Sequence, residues 1–260
     1  MTRIRAALPF AEGLALIVAV LALWQLWASQ SQPPPVYYPA PQRIISVAWD
    51  FWLSVGGLNK DVLPSLARVL LGWALAALIG IVVGLAIGLV RRLAGFVDPV
   101  IQFLRAVPPP VALPVFMILL GIGGGMKVAF IAFGVVWPIL LNTVKGVRSV
   151  EPMHLETAAA FRIDGLRRLV AVILPSAAHD IFAGLRIALS LSLVLMVLSE
   201  MIAASGGIGF RILNSQATFN IAGMWGAIGV LAVSGVVFNG VLAVIESRVL
   251  RWHRSARAHG

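Results

Sequence analysis

Residues 66–90 read LARVLLGWALAALIGIVVGLAIGLV, an unbroken apolar run whose one charge, Arg68, stands near its start. A helix crosses roughly 30 Å of hydrocarbon at about 1.5 Å per residue and so needs about 20 apolar residues, which this run supplies. It also carries a small residue at every fourth position, Gly72, Ala76, Gly80, Gly84 and Gly88. That spacing keeps all five on one helix face, where missing side chains let another backbone come close. A packing ridge is the favoured reading of this stripe over a ligand path.

Working outward, the chain has 260 residues, 60% of them hydrophobic and 12% charged. A soluble domain of this size cannot bury so much apolar surface, so lipid is its solvent. The first apolar run, Gly13 to Ala28, follows Arg3 and Arg5. It is read as a retained N-terminal transmembrane helix within residues 1–29, because Trp24, Gln25 and Trp27 make a poor cleavage site for a secretory signal. Residues 30–64 form a connection, Pro-rich at Pro33, Pro34, Pro35, Pro39 and Pro41, then amphipathic from Arg43 to Leu53. The amphipathic part predicts a short interfacial helix, with Trp49 and Trp52 near the headgroups.

After the quoted run, Arg91 and Arg92 precede a third span expected from Pro99 to Leu120, interrupted by Pro108, Pro109, Pro110 and Pro114. Prolines remove backbone donors and disfavour helix in the residue before them, so this span is expected to be kinked or unwound. Unwound backbone at membrane depth is tolerated only against protein or a water-filled cavity, which makes Arg105, Pro108, Pro109 and Pro110 candidates to border a pathway. Gly121, Gly123, Gly124 and Gly125 then predict a tight turn. A fourth span is expected from Val128 to Val144, and the last two from Ile181 to Ala203 and Ala222 to Ile245. The glycines before Lys127 lack the order of a phosphate loop.

Charge orients the chain. With six spans, one side receives Arg3, Arg5, Arg91, Arg92, Lys145, Arg148, Arg162, Arg167, Arg168, Arg248 and the basic tail 249–260 with Arg251, Arg254 and Arg257. The other side receives only Arg43, Lys60, Lys127 and Arg211. Lys and Arg gather in cytoplasmic loops, so both termini and the loop 146–180 are expected in the cytoplasm. The net charge of +10 is therefore spread between spans rather than gathered as a nucleic-acid footprint. With no Cys and four unclustered His, thiolate chemistry and metal sites are not supported.

The loop 149–175, SVEPMHLETAAAFRIDGLRRLVAVILP, predicts two short helices. Pro152 suits a first turn, Ala158, Ala159 and Ala160 are strong helix formers, and Asp164 and Gly165 suit a turn. Leu166, Leu169, Val170 and Ile173 then share one face until Pro175, expected to stop the helix. A short helix of small residues held off the membrane suits docking into a groove on a partner.

This loop resembles the coupling (EAA) loop of the binding-protein-dependent ABC importer permeases. Glu156, Thr157 and Ala158 stand at its start, and Val172, Leu174 and Pro175 close it at matching spacing. Arg162 occupies the usual Gly position, with Gly165 three residues later. Further stretches resemble the nitrate, sulfonate and taurine branch: Tyr38-Pro39-Ala40-Pro41, Ser65 to Gly72, Leu104 to Pro109, Leu120 to Gly123, Gly184 to Ala188, Ser199 to Ile202, and Gly207 to Phe210. The resemblance implies an all-α integral membrane protein of about six transmembrane helices, a type I ABC importer permease-like bundle with its core over residues 65–248. It implies ATPase coupling through Glu156, Thr157, Ala158, Ala159, Arg162, Asp164, Gly165 and Pro175. It also implies a second permease copy, two cytoplasmic ABC ATPases and an extracytoplasmic solute-binding protein in a bacterial inner membrane. No cofactor is expected in this chain, since ATP would be bound by the partners. The expected solute is a small anion such as nitrate, an alkanesulfonate or taurine, moved by alternating access.

Charges inside spans cost several kcal/mol unless paired or hydrated, which singles out Arg68, Arg105, Arg186 and Glu200. Arg68 and Arg186 lie near span ends, where long side chains reach the interface. Glu200, beside Ser199, is expected to pair with an Arg inside the bundle or to border the route. A proton- or ion-coupled secondary transporter would show a chain of acids or His and often repeated halves. An intramembrane enzyme would show a nucleophile with its base, or paired acids. Neither pattern is present, so the chain is read as a transporter subunit and not an enzyme.

Overall fold

A computed structural model describes the backbone of residues 2–54 and 56–250. The side chains of Arg3, Arg5 and Arg91, and residues 251–260 of the basic tail, lie outside the described residues. Among the described residues there is helix and connecting loop but no strand. The helices are α1 (Thr2–Gln30), α2 (Pro41–Trp49), α3 (Leu63–Leu89), α4 (Arg91–Ala106), α5 (Pro109–Leu120), α6 (Gly124–Arg148), α7 (Pro152–Ala160), α8 (Gly165–Arg168), α9 (Leu174–Ala203), α10 (Ile208–Ala217) and α11 (Ile221–Val249). Four helical stretches are long and apolar enough to cross a membrane: Leu58–Leu89, Gly124–Arg148, Gly165–Ala203 and Ile221–Val249. The pair α4–α5, bent by 95°, makes a broken fifth, and the apolar part of α1, Ala15–Gln30, is shorter than a span by itself.

The small-residue stripe of α3 is the seam on which α6 lies. A Cβ on Gly72 would come within 2.7 Å of Ile131, on Gly80 within 3.0 Å of Ile139, on Gly84 within 2.7 Å of Thr143, and on Gly88 within 2.7 Å of Val147. The partner advances along α6 in step with α3, so the two helices are parallel. Ala76 sits in the same seam, fully buried. Parallel neighbours need a return crossing between them, and α4–α5 supplies it. The helix α4 buries a stripe of Ala94, Val97 and Ile101 against Val83 and Ile87 of α3 and Trp137, Leu140 and Val144 of α6. The helix α5 then runs antiparallel to α6, with Pro109 beside Gly134 and Phe116 stacked edge-on against Phe130. The break at Val107–Pro108 therefore lies about 15 Å along α6 from its first residue, near mid-bundle.

Antiparallel packing of α9 on α6 follows the same logic: Gly134 meets Leu195, Gly184 meets the Pro138 carbonyl, and Gly146 meets the Ala177 carbonyl. At one end of the bundle, the loop end, α6 passes into α7 and α8 and returns as α9, tied by the Lys145–Asp180 ion pair at 2.8 Å. At the other end, α10 forms a hairpin between α9 and α11. There α1 and α2 meet α11, Trp24 against Trp225 and Ala48 against Gly226.

Four expectations are corrected. The third span begins at Arg91, and only Val107–Pro108 breaks it. Pro109 and Pro110 fall in the first turn of α5, where a missing N–H costs nothing, and Pro99 and Pro114 lie inside their helices. Gly124 and Gly125 start α6 instead of completing the turn, which is made at Gly121 with φ +72°. Pro175 does not stop a helix, because residues Leu169–Ile173 widen into a π-turn that makes room for its ring. The same device, Leu58–Val62, precedes Pro64. Trp52 is buried in the core while Trp49 stays exposed.

The seam makes a measurable claim. Gly84→Ala should lower the thermal stability of the detergent-purified permease by about 1–3 kcal/mol through overpacking. Gly240→Ala, whose Cβ would meet nothing within 4 Å, should leave it unchanged or slightly raised; equal effects would show that the seam is not tight.

Candidate functional site

Glu200 lies on the last turn of α9, fully buried, and three groups converge on it. Arg68 Nη1 donates to its Oε1 at 2.5 Å, Ser65 Oγ donates at 2.7 Å, and the Gly209 backbone N–H donates to Oε2 at 3.1 Å. The Ser65 hydroxyl in turn accepts from the Ile208 N–H at 3.1 Å. One helical turn before Ser65, Asp61 accepts from the Gly207 N–H at 2.7 Å and from Arg211 Nε at 2.8 Å. Three side chains, Asp61, Ser65 and Glu200, thus take up three successive amides at the start of α10. These are the orphan donors of a helix N-terminus, and the helix dipole favours carboxylates there.

The glycines of the hairpin follow from this arrangement. Gly207 has φ +115°, and a Cβ on it would sit 2.5 Å from the Glu200 carboxylate. A Cβ on Gly209 would sit 2.5 Å from the Val197 carbonyl oxygen. Only glycine admits the carboxylate at the first point and the close backbone of α9 at the second. Lys127, one turn into α6, is also buried, and the charges of Arg68 and Glu200 act on it.

The other candidates are placed elsewhere. Ser199 is buried, but its hydroxyl bonds the Met196 carbonyl at 2.8 Å and does not reach Glu200. Arg186, about 21 Å down α9 from Glu200, pairs with Glu246 of α11. Arg105 ends α4 exposed, beside the break at Pro108, and Pro109 is half-buried beside Gly134. Asp61, Ser65, Lys127 and Arg211 had no functional reading in sequence. Asp61, Ser65 and Arg68 share one helical face at spacings of four and three, a signal that was present.

At the loop end, α7 stands clear of the bundle with Glu156, Thr157 and Ala159 exposed and Ala158 turned inward. Ile163 N–H bonds the Ala158 carbonyl at 2.8 Å and Arg162 N–H the Ala159 carbonyl at 3.0 Å, the two bonds of a Schellman C-cap. Arg162 is its left-handed residue, with φ 52°. The side chain that departs from the family's Gly thus occupies the conformation for which Gly is favoured. Asp164 precedes α8 without a side-chain cap bond, and Gly165 has φ +55°. A shallow cleft of ≈ 360 Å³ between α7 and the start of α9 is lined by His154, Thr157, Phe161, Val172, Pro175 and Ser176.

Comparison with known proteins fits this geometry. Residues 76–251 match the family described as binding-protein-dependent transport system inner membrane component. Similar relatives include the aliphatic sulfonates transport permease protein SsuC of Bacillus subtilis, 28% identical over 94% of this chain and 88% of its own. The taurine transport system permease protein TauC of Escherichia coli is 30% identical over 91% and 88%. The bicarbonate transport system permease protein CmpB of Synechococcus elongatus is 32% identical over 92% and 88%. The chain therefore belongs to the binding-protein-dependent permease family of ABC importers, in the nitrate, sulfonate and taurine branch, and is a multi-pass inner membrane protein and not an enzyme.

Two substitutions test the geometry. Glu200→Gln strips the charge from a buried pair and should destabilise the bundle by about 3 kcal/mol, the low end of the usual range because Arg68 is partly exposed. It should impair solute uptake while membrane insertion is retained; full uptake in a proteoliposome assay would show that the charge is dispensable. Arg162→Gly relieves a left-handed residue and should raise stability by about 0.5–1 kcal/mol. A fall in melting temperature for that variant would mean the arginine side chain is held by contacts stronger than the backbone strain.

Proposed function

We propose that this chain is half of the translocation pathway of an ATP-driven importer for a small anion. Two copies face each other, two cytoplasmic ATPase subunits grip the loop 149–175, and an extracytoplasmic binding protein delivers solute to the α10 end. The excess of Lys and Arg at the loop end supports a cytoplasmic loop and cytoplasmic termini. The sulfonate, taurine and bicarbonate relatives support a small anionic solute. ATP is bound by the partners, and this chain takes part through movement alone.

The observation that carries the reading is the continuity of the helix from Gly165 to Ala203, 39 residues and so about 58 Å long. It begins in the coupling loop and ends at Glu200 in the buried knot. A displacement of the loop reaches the opposite end of the bundle along one rigid rod. The close packing of Gly146 on the Ala177 carbonyl, with the Lys145–Asp180 pair beside it, couples α6 to the rod at the loop end. The broken α4–α5 span lies off this rod, and its mid-bundle break at Pro108 is where solute would meet free backbone. Inward and outward states differ in which end of the α6–α9 pair is splayed.

Exposed Met153, Phe161 and Leu166 and the exposed Glu156 present the surface that the ATPase grips. Glu156→Lys, or Ala159→Pro to break α7, should weaken co-purification of the ATPase subunits about tenfold or more and abolish uptake with the permease still folded. Undiminished co-purification together with normal uptake would overturn the reading.

A further inference from the structure

The seam between α3 and α6 has a fixed register, and that register brings two cations together. The step that sets Gly72 against Ile131 and Gly80 against Ile139 sets Arg68 against Lys127 one turn nearer the α10 end. Both act on one carboxylate, Glu200. Arg68 holds it, with its side chain about one-fifth exposed. Lys127 is 4% exposed and, among the described residues, makes neither an ion pair nor a hydrogen bond. No side-chain polar atom among the described residues is both enclosed and without a partner. The Lys127 ammonium therefore has a buried stem and a tip that still meets solvent.

The cluster counts Arg68, Arg211 and Lys127 against Asp61 and Glu200, and the two carboxylates are already committed. Asp61 holds Arg211 and the Gly207 N–H; Glu200 holds Arg68, Ser65 and the Gly209 N–H. One positive charge, the Lys127 ammonium, is left among the described residues with solvent in place of a bonded partner, next to the amides that open α6 with no side-chain cap. An anion there would relieve the repulsion that Lys127 and Arg68 exert on each other. The α6 amides add to the same field, since a helix N-terminus favours anions.

We infer that Lys127, with the free edge of Arg68 and the first turn of α6, is an anion-binding position at the α10 end of the bundle, where a small oxyanion such as a sulfonate or nitrate supplies the missing charge. This deepens, and rests on, the reading of the solute as a small anion. The occupant accepts hydrogen bonds from the Lys127 ammonium and the Arg68 guanidinium without displacing Glu200, whose donors are otherwise satisfied. Its binding neutralises the like-charge contact across the seam, so occupancy stabilises the closed packing of α3 on α6.

The experiment uses the permease reconstituted in nanodiscs with its ATPase subunits, in sodium gluconate at constant ionic strength. Thermal unfolding followed by tryptophan fluorescence is titrated with sodium methanesulfonate and sodium nitrate. The wild-type protein should show saturable stabilisation. Lys127→Met should melt higher than wild type in gluconate alone, because the repulsion between Lys127 and Arg68 is gone. Its half-saturation should weaken at least about tenfold, while Lys127→Arg keeps the anion response. A Lys127→Met variant that melts lower in gluconate, or keeps the wild-type half-saturation, would overturn the site; so would a wild-type protein indifferent to both anions. The titration reads the site whether or not ATPase subunits are bound. Assembled complexes that ignore anions would refute this site alone, whereas a permease that never binds ATPase subunits would refute the importer reading.

Discussion

Everything in this bundle depends on how closely α3 can approach α6. Hydrocarbon gives no hydrophobic drive for one apolar helix to leave lipid for another, so helices associate by fit and by polar contacts. The glycines of α3 supply the fit, bringing its backbone onto Ile131, Ile139, Thr143 and Val147 without intervening side chains. Because the two helices are parallel, the crossing between them must be made within the short stretch α4–α5. That stretch bends by 95° in mid-bundle in order to fit. The fold's least regular element is thus a consequence of its most regular interface.

The second constraint is the start of α10. A ten-residue helix inserted at the end of a membrane bundle has three amides pointing into protein, and buried amides without acceptors are costly. Asp61, Ser65 and Glu200 come from two different helices to satisfy them, which locks α9 to α3 at one rim. The loop at the other rim has the opposite character, with apolar and charged side chains left exposed on a helix that packs little. One end is self-sufficient and the other is unfinished, as expected of a chain that is driven from one side.

Much of this was legible in the sequence. The stripe at Gly72, Ala76, Gly80, Gly84 and Gly88 predicts a seam, and the structure supplies what no single sequence can, the identity of the facing helix. The interruption near Pro108 was legible; its confinement to one peptide was not, because Pro109 and Pro110 can start a helix as readily as they end one. The expected apolar face of Leu166, Leu169, Val170 and Ile173 failed as a face. Ile173 is buried but Leu166 and Val170 are exposed, because the π-turn at Leu169–Ile173 rotates the helix out of 3.6-residue register. Arg162 departs from the family pattern in its side chain alone, since the backbone there keeps the glycine conformation. Lys127 and Arg211 read as ordinary charges outside the membrane, since burial by a neighbouring helix leaves no trace in local sequence.

Trp73 lies between these two rims, and its indole N–H donates to the Leu185 carbonyl at 3.0 Å, joining α3 to α9 about two turns past Ser65 and four turns before Glu200. At that depth water is absent, so pulling the pair apart would strand the donor in hydrocarbon at a cost of several kcal/mol. The Lys145–Asp180 pair at the loop end, by contrast, can exchange a partner for solvent. The grip of α9 on its neighbours is therefore firm at the indole and at the buried carboxylate beyond it, and loosest where the chain turns back at the loop end.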